Sequence, residues 1–227
     1  VVAFISVVPK LAGIAAITKF TLAINLFGQS GYSWQVMLAV IAILVELVIG
    51  VFAGVLAGIR KGKFVDNLVL VSTLIVIAIP TFVIGVLARK IFGLDLGWFR
   101  PTVSPAAPWS ELILPGIVLG AISLAYVARL TRTNLVENLR ADYVRTAVAK
   151  GLGRPRTIGV HTLRNSLIPV VTFVGADFGG LLGGAIITER IFNIRGVGGY
   201  IFQSIHSRDG VAVVGAVTVL VIVFLIM

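Results

Sequence analysis

The sequence predicts an all-α polytopic membrane protein with about six transmembrane helices. Three observations carry this expectation. The 227 residues are 58% hydrophobic and only 12% charged, with a mean hydropathy of +1.08, whereas soluble domains carry about 25% charged residues. The apolar residues fall in runs near the ~20 residues with which an α-helix crosses roughly 30 Å of hydrocarbon. The cations gather between those runs. Where no water reaches, a backbone must satisfy its own polar groups, so each run is read as a helix.

The first expected span, 3–27, is interrupted by Lys10 and Lys19. The second, 35–59, stops at Arg60-Lys61-Gly62-Lys63. The third, 67–92, carries Pro80 near its middle, where a kink would loosen the helix. A loop with Pro and Trp (GWFRPTVSPAAPWS) leads to the fourth, 112–131. The fifth, 166–188, has Pro169 in its first turn, where Pro is tolerated. The sixth, 211–227, ends at Met227 without a polar flank, which predicts a chain that continues beyond it. The short link INLFGQSGYSWQV likewise predicts residues missing between the first two spans. The N-terminus, VVAFISVV, lacks a charged region and an Ala-x-Ala site, so it does not read as a signal peptide.

The net charge is +10, from 19 Lys and Arg against nine acids. Without aromatic residues interleaved among the cations, this excess does not predict nucleic-acid binding; it orients spans against the inner membrane face. The loops 60–66 and 129–164 hold eleven cations and the loops 89–111 and 189–210 hold six, which places the first pair in the cytoplasm. An even number of spans then puts both termini there. With no Cys, no disulfide framework or thiolate metal site is expected. His161 and His206, on opposite predicted sides, do not suggest a metal centre.

Residues 140–169, RADYVRTAVAKGLGRPRTIGVHTLRNSLIP, break the apolar pattern with six cations and one acid, Asp142. From Ala141 to Lys150 the residues suit a helix, with Tyr143, Ala147 and Val144, Val148 four apart as a modest apolar stripe. Gly151 is the expected C-terminal cap. Gly153, Pro155 and the flanking arginines predict a sharp turn, after which Thr157 would cap a second short helix leading through Arg164 and Asn165 into the fifth span. The residues alone leave two readings open: a basic linker resting on anionic lipid, or a docking element for a cytoplasmic partner.

Within the spans, Gly50, Gly54 and Gly58 lie four apart, as do Gly175, Gly179 and Gly183. Such spacing lets helices approach closely, inside the chain or against a second subunit. Glu46 and Asp177 also fall inside spans, where a carboxylate costs about 2.5–3.5 kcal/mol on insertion scales and faces a partner or an aqueous cavity. With Pro80 they are the candidates for a translocation pathway; the alternative is a carboxylate satisfied by nearby hydroxyls or a cation. The loop 189–210, with Glu189, Arg190, Arg195, Arg208 and Asp209, faces outward, as a docking site or a solvated loop.

The run RLTRTNLVENLRADYVRTAVAKGLGRPRTIGVHTLRNSLIPVVT closely resembles the cytoplasmic loop of permease subunits of ABC importers, in the dipeptide/oligopeptide branch. The broader motif is Glu-Ala-Ala, three residues, Gly, and further on Ile-x-Leu-Pro. Its positions here are Arg145, Thr146, Ala147 and Gly151, with Pro169 at the close. Arg145 replaces the Glu and the Gly151–Pro169 interval is long, both as in the peptide branch. ADFGGLLGGAIITERIFNIRGVGGYIFQSI resembles that branch's Gly-rich span, its Glu-x-x-Phe and its Pro-Gly-Leu-Gly-like turn, here Arg195-Gly196-Val197-Gly198. The resemblance covers about residues 45–227, and the usual Pro-Gly-Asp-Pro after the first span is absent.

The resemblance implies a type I importer permease: one transmembrane domain over 1–227, with a cytoplasmic coupling loop, 132–165, between spans four and five. A helix of that loop inserts into a cleft on a separate ATP-binding subunit and transmits its closure. The residues that carry over are Asp142, Tyr143, Arg145, Thr146, Ala147, Lys150, Gly151, Leu152 and Gly153. The implied assembly holds a second permease subunit, two ATP-binding subunits and an external substrate-binding protein in a bacterial or archaeal plasma membrane. ATP and Mg are used by the partners, since no G-x-x-x-x-G-K-[ST] occurs in this sequence. Members of the branch handle dipeptides, longer peptides, nickel complexes, glutathione or haem. Two other readings are a secondary transporter with Asp177 as proton relay, and an intramembrane protease, for which Glu46 and Asp177 lack a companion motif.

Overall fold

A computed structural model of the protein describes residues 31–104, 109–194 and 196–226. The expected first span, with Lys10 and Lys19, lies outside the described residues. α1 (Gly31–Val45) passes through a π-helical turn (Glu46–Gly50) into α2 (Val51–Ile59). From Trp34 to Ile59 it is long and apolar enough to cross a membrane. Gly62 then takes the left-handed φ of +75° that reverses the chain.

The expected third span is not one helix. α3 (Phe64–Ala78) and α4 (Thr81–Ala88), extended by a π-helical stretch (Arg89–Asp95), meet at 100°. Pro80 disfavours the α conformation in the residue before it, and Ile79 is extended at φ −90°, ψ 126°. The Pro80 carbonyl accepts the Val83 and Ile84 N–H groups at 2.9 and 3.2 Å and so starts α4. The proline breaks the span instead of kinking it.

α5 (Trp109–Asn138) is the longest described helix, 30 residues or about 45 Å, and runs seven residues past the expected boundary at 131. α6 (Asp142–Ala149) follows, then a helical run through Arg154–Arg156, Thr157–Thr162 and Leu163–Ser166. The expected fifth span is broken near its end: α7 (Ile168–Gly184) and α8 (Ile186–Phe192) differ by 60°. Pro169 lies in the first turn of α7, whose N–H groups need no helical partner. α9 (Val197–His206) and α10 (Gly210–Ile226) complete the described chain. Two helices, Trp34–Ile59 and Trp109–Asn138, are long and apolar enough to span, or four if each bent pair counts once, so six spans are not seen among the described residues.

α5 is the axis. Ala42, Gly50, Gly54 and Gly58 sit on Gly120, Val127, Ala128 with Thr131, and Leu135, so the α1–α2 helix lies along it at backbone contact. Leu38, Ala39 and Ala42 pack with Leu112, Val118, Leu119 and Phe192, and Val170 and Val174 of α7 reach Val127. Leu44, Val48 and Phe52 point outward, with Phe64, Leu68 and Phe82 on α3 and α4. A belt of this kind requires lipid or protein around it: the chain is membrane-embedded.

Candidate functional site

α6 projects from the end of α5. Val144 and Ala147 face the chain, whereas Asp142, Tyr143, Arg145, Thr146, Lys150, Gly151 and Gly153 are exposed and Leu152 is half-buried. The inward stripe is therefore Val144 with Ala147; Tyr143 and Val148 point out, and the Tyr143 hydroxyl donates to Asn138 Oδ1 at 2.7 Å. The helix closes as a Schellman motif: Gly151 N–H donates to Val148 O at 2.9 Å and Leu152 N–H to Ala147 O at 3.2 Å, with Gly151 at φ +81°. Thr157 does not cap the next segment. Gly153 occupies that position ahead of Pro155, whose φ suits a first turn, and the Thr157 hydroxyl donates back to Gly153 O at 3.2 Å. Arg145, Lys150, Arg154 and Arg156 are all exposed on this surface.

Two polar latches bracket the bundle. Asp66, in the first turn of α3, receives Arg132 Nε and NH2 at 2.9 and 2.7 Å and the Gly62 N–H at 2.8 Å. At the other end of α5, Glu111 accepts Ser104 N–H at 2.7 Å and pairs with Arg100 at 2.9 Å. Glu111 and Arg132 are about 32 Å apart along the helix, close to the roughly 30 Å of a hydrocarbon core. The two latches are thus separated by about the thickness of a hydrocarbon core. Neither was read from the sequence, because each joins residues that only the fold brings together.

Between the latches lies an apposition that sequence distance conceals: Glu46 and Asp177, 131 positions apart, face each other across α1–α2 and α7. Pro80 is on the α3–α4 corner. Of the second glycine set, Gly179 lies against Phe224 of α10, Gly175 has no atom within 4 Å of an added Cβ, and the surroundings of Gly183 lie outside the described residues.

The Glu-x-x-Phe and Gly-rich segments form one corner. Glu189, on α8, is buried against the start of α9, where Oε2 accepts the Gly199 N–H at 2.9 Å and the carboxyl also receives Gly198 N–H. Side chains at Gly196 or Gly198 would strike that carboxyl, which is why the segment needs glycines. Phe192 fills the core and its carbonyl accepts Val103 N–H at 2.9 Å. Arg190 lies 4.2 Å over the Phe202 ring; Arg195 lies outside the described residues. Glu189→Ala, which leaves both amides without their acceptor, is expected to cost about 2–4 kcal/mol in thermal unfolding, and Glu189→Gln less than half of that.

The sequence pattern of the family described as "Binding-protein-dependent transport system inner membrane component" matches residues 50–227. The chain is 37% identical to the dipeptide transport system permease protein DppB of Alkalihalophilus pseudofirmus, over 82% of this chain and 66% of that protein. It is 40% identical to the glutathione transport system permease protein GsiC of Escherichia coli K12, over 72% of this chain and 53% of that one. The chain thus spans between half and two thirds of the length of these relatives.

Proposed function

Because the chain belongs to the family of binding-protein-dependent transport system inner membrane components, we propose that it is a permease subunit of an ATP-driven importer for di- or oligopeptides. The observation that carries the mechanism is α6. It is anchored through Val144 and Ala147, closed by a rigid glycine cap, and offers its other residues outward. A surface helix held at one face and presented at the other can transmit force between a soluble partner and the bundle. In this reading 132–165 is the cytoplasmic coupling loop of one domain, 1–227. Asp142, Tyr143, Arg145, Thr146, Lys150, Gly151 and Gly153 meet an ATP-binding subunit, with Ala147 and Leu152 holding the helix in place.

The eleven cations of 60–66 and 129–164 put that end in the cytoplasm, in a bacterial or archaeal plasma membrane, with both termini inside. ATP and Mg belong to two partner subunits, and an external binding protein delivers the substrate to the opposite end, where the α8–α9 corner lies. Gly175, exposed on α7, is turned to a second permease subunit. Asp177, half-buried beside it, borders the pathway between the two, with Glu46 behind it and the Pro80 corner as a point of flexure. The names of the two relatives support a peptide-like substrate. Substrate-stimulated ATPase activity of the reconstituted complex, screened across peptides, glutathione, haem and nickel, tests this. Transport by this chain alone in liposomes under a pH gradient would overturn it.

Gly151→Asp is expected to abolish transport while ATP hydrolysis continues and the protein stays in the membrane. A Cβ there has space but a left-handed φ, a strain of about 1 kcal/mol that Asn tolerates. Gly151→Asn therefore keeps most transport, which isolates the effect of a negative charge in the basic surface. Full transport by Gly151→Asp counts against the docking role.

A further inference from the structure

Glu46 begins the π-helical turn between α1 and α2 and has no exposed surface. Its carboxyl is within hydrogen-bonding reach of Asp177. Both Glu46 oxygens and Asp177 Oδ2 are buried without a hydrogen-bond partner. Ionised carboxylates only accept hydrogen bonds, so two of them cannot satisfy each other, and buried polar atoms without partners are rare in folded proteins.

The depth is set by α5. Ala42, one turn before Glu46, rests on Gly120, and Gly50, one turn after it, rests on Leu124 and Val127. Glu46 is therefore level with residues 120–124, roughly 16 Å from either latch and near the middle of the span. The titratable and charged residues nearest this level are few. α7 contributes Asp177, and α5 contributes Tyr126, whose ring packs on Phe173, and Arg129. α1 and α2 contribute no further charge. Of these, Asp177 is the one within hydrogen-bonding reach of Glu46. Among the described residues no three His, Cys, Asp or Glu side chains could hold a metal ion, and two carboxyls are too few oxygens for Ca²⁺.

We propose that Glu46 and Asp177 form a proton-binding pair, in which one proton held as an O–H···O bond ties the α1–α2 turn to α7. Releasing that proton to water leaves two like charges in a medium of low dielectric, which drives α7 from α1–α2. The pair is a latch inside the bundle and carries no proton across the membrane. The inference stands independently of the importer reading.

Thermal unfolding of the full-length chain in detergent, from about pH 5 to 9, tests it, since buried carboxyls titrate over that range. A proton held by the folded pair and released on unfolding makes the folded state less stable as pH rises. The wild type is expected to lose about 3–5 °C in Tm per pH unit over part of the range. Glu46→Gln and Asp177→Asn, which supply a donor at every pH, flatten that slope and melt above the wild type at the alkaline end. A flat wild-type profile overturns the proposal, whether or not the variants fold. So do variants whose slope equals that of the wild type, or an alkaline Tm restored by sodium, which would make the occupant a cation.

Discussion

Arg132→Met is expected to destabilise the chain by about 2–4 kcal/mol, the loss that follows when one partner of a buried ion pair is removed. Asp66 is 1% exposed and would keep only the Gly62 N–H, a single neutral donor for a full charge. The figure is set below that of a wholly buried pair because the Arg132 side chain is 20% exposed. Asp66→Leu combined with Arg132→Met removes the stranded charge together with its partner and recovers most of the loss. Thermal unfolding of both single variants and the double variant reads the coupling directly. Equal and additive losses would mean that the pair, despite its bidentate geometry, does not fasten α3 to α5.

Gly54→Ala is expected to be nearly as damaging, at about 2–3 kcal/mol, the upper part of the range for overfilling a packed site. A Cβ at residue 54 meets the Ala128 carbonyl and lies 2.6 Å from Thr131 Cβ, so backbone must move and α2 must part from α5. Gly58→Ala meets only the Leu135 side chain, whose Cδ2 is 2.9 Å away and can rotate, and is expected to cost less. Gly175→Ala, with open space around it and a better helix former in place of glycine, is expected to be neutral or slightly stabilising. Unfolding midpoints of the three variants rank them. A Gly54→Ala protein as stable as Gly175→Ala would refute the close contact between α2 and α5.

Much of this architecture was legible in advance because membranes impose one-dimensional rules. Hydrocarbon thickness sets segment length, so the expected second and fourth spans coincide with Trp34–Ile59 and Trp109–Asn138 to within three residues at every end but one, and the expected sixth falls on the shorter helix Gly210–Ile226. Cap chemistry is equally local: Gly151 after Lys150 marked the end of α6 because only a residue without Cβ takes a left-handed φ freely. Pro80 is plain in the sequence, but its effect on the helix is not. A proline can kink a helix or end it, and the choice depends on what each half packs against; here Gly85 of α4 settles on Ile191 and Val118. Thr157 has the chemistry of a cap, but Pro155, two residues earlier, makes the better first turn.

The amino-acid sequence by itself determined that the chain is built of helices apolar enough for a membrane, and where some of them stop, as at Ile59 and before Gly151. These follow from solvation and backbone stereochemistry, which act on each residue and its near neighbours. Only the tertiary structure decided that Asp66 meets Arg132, that Glu189 caps a helix beyond its own, and that Glu46 looks at Asp177. Such pairings are made by helices crossing at particular levels and rotations, and hydropathy carries no record of which face of one helix meets which face of another.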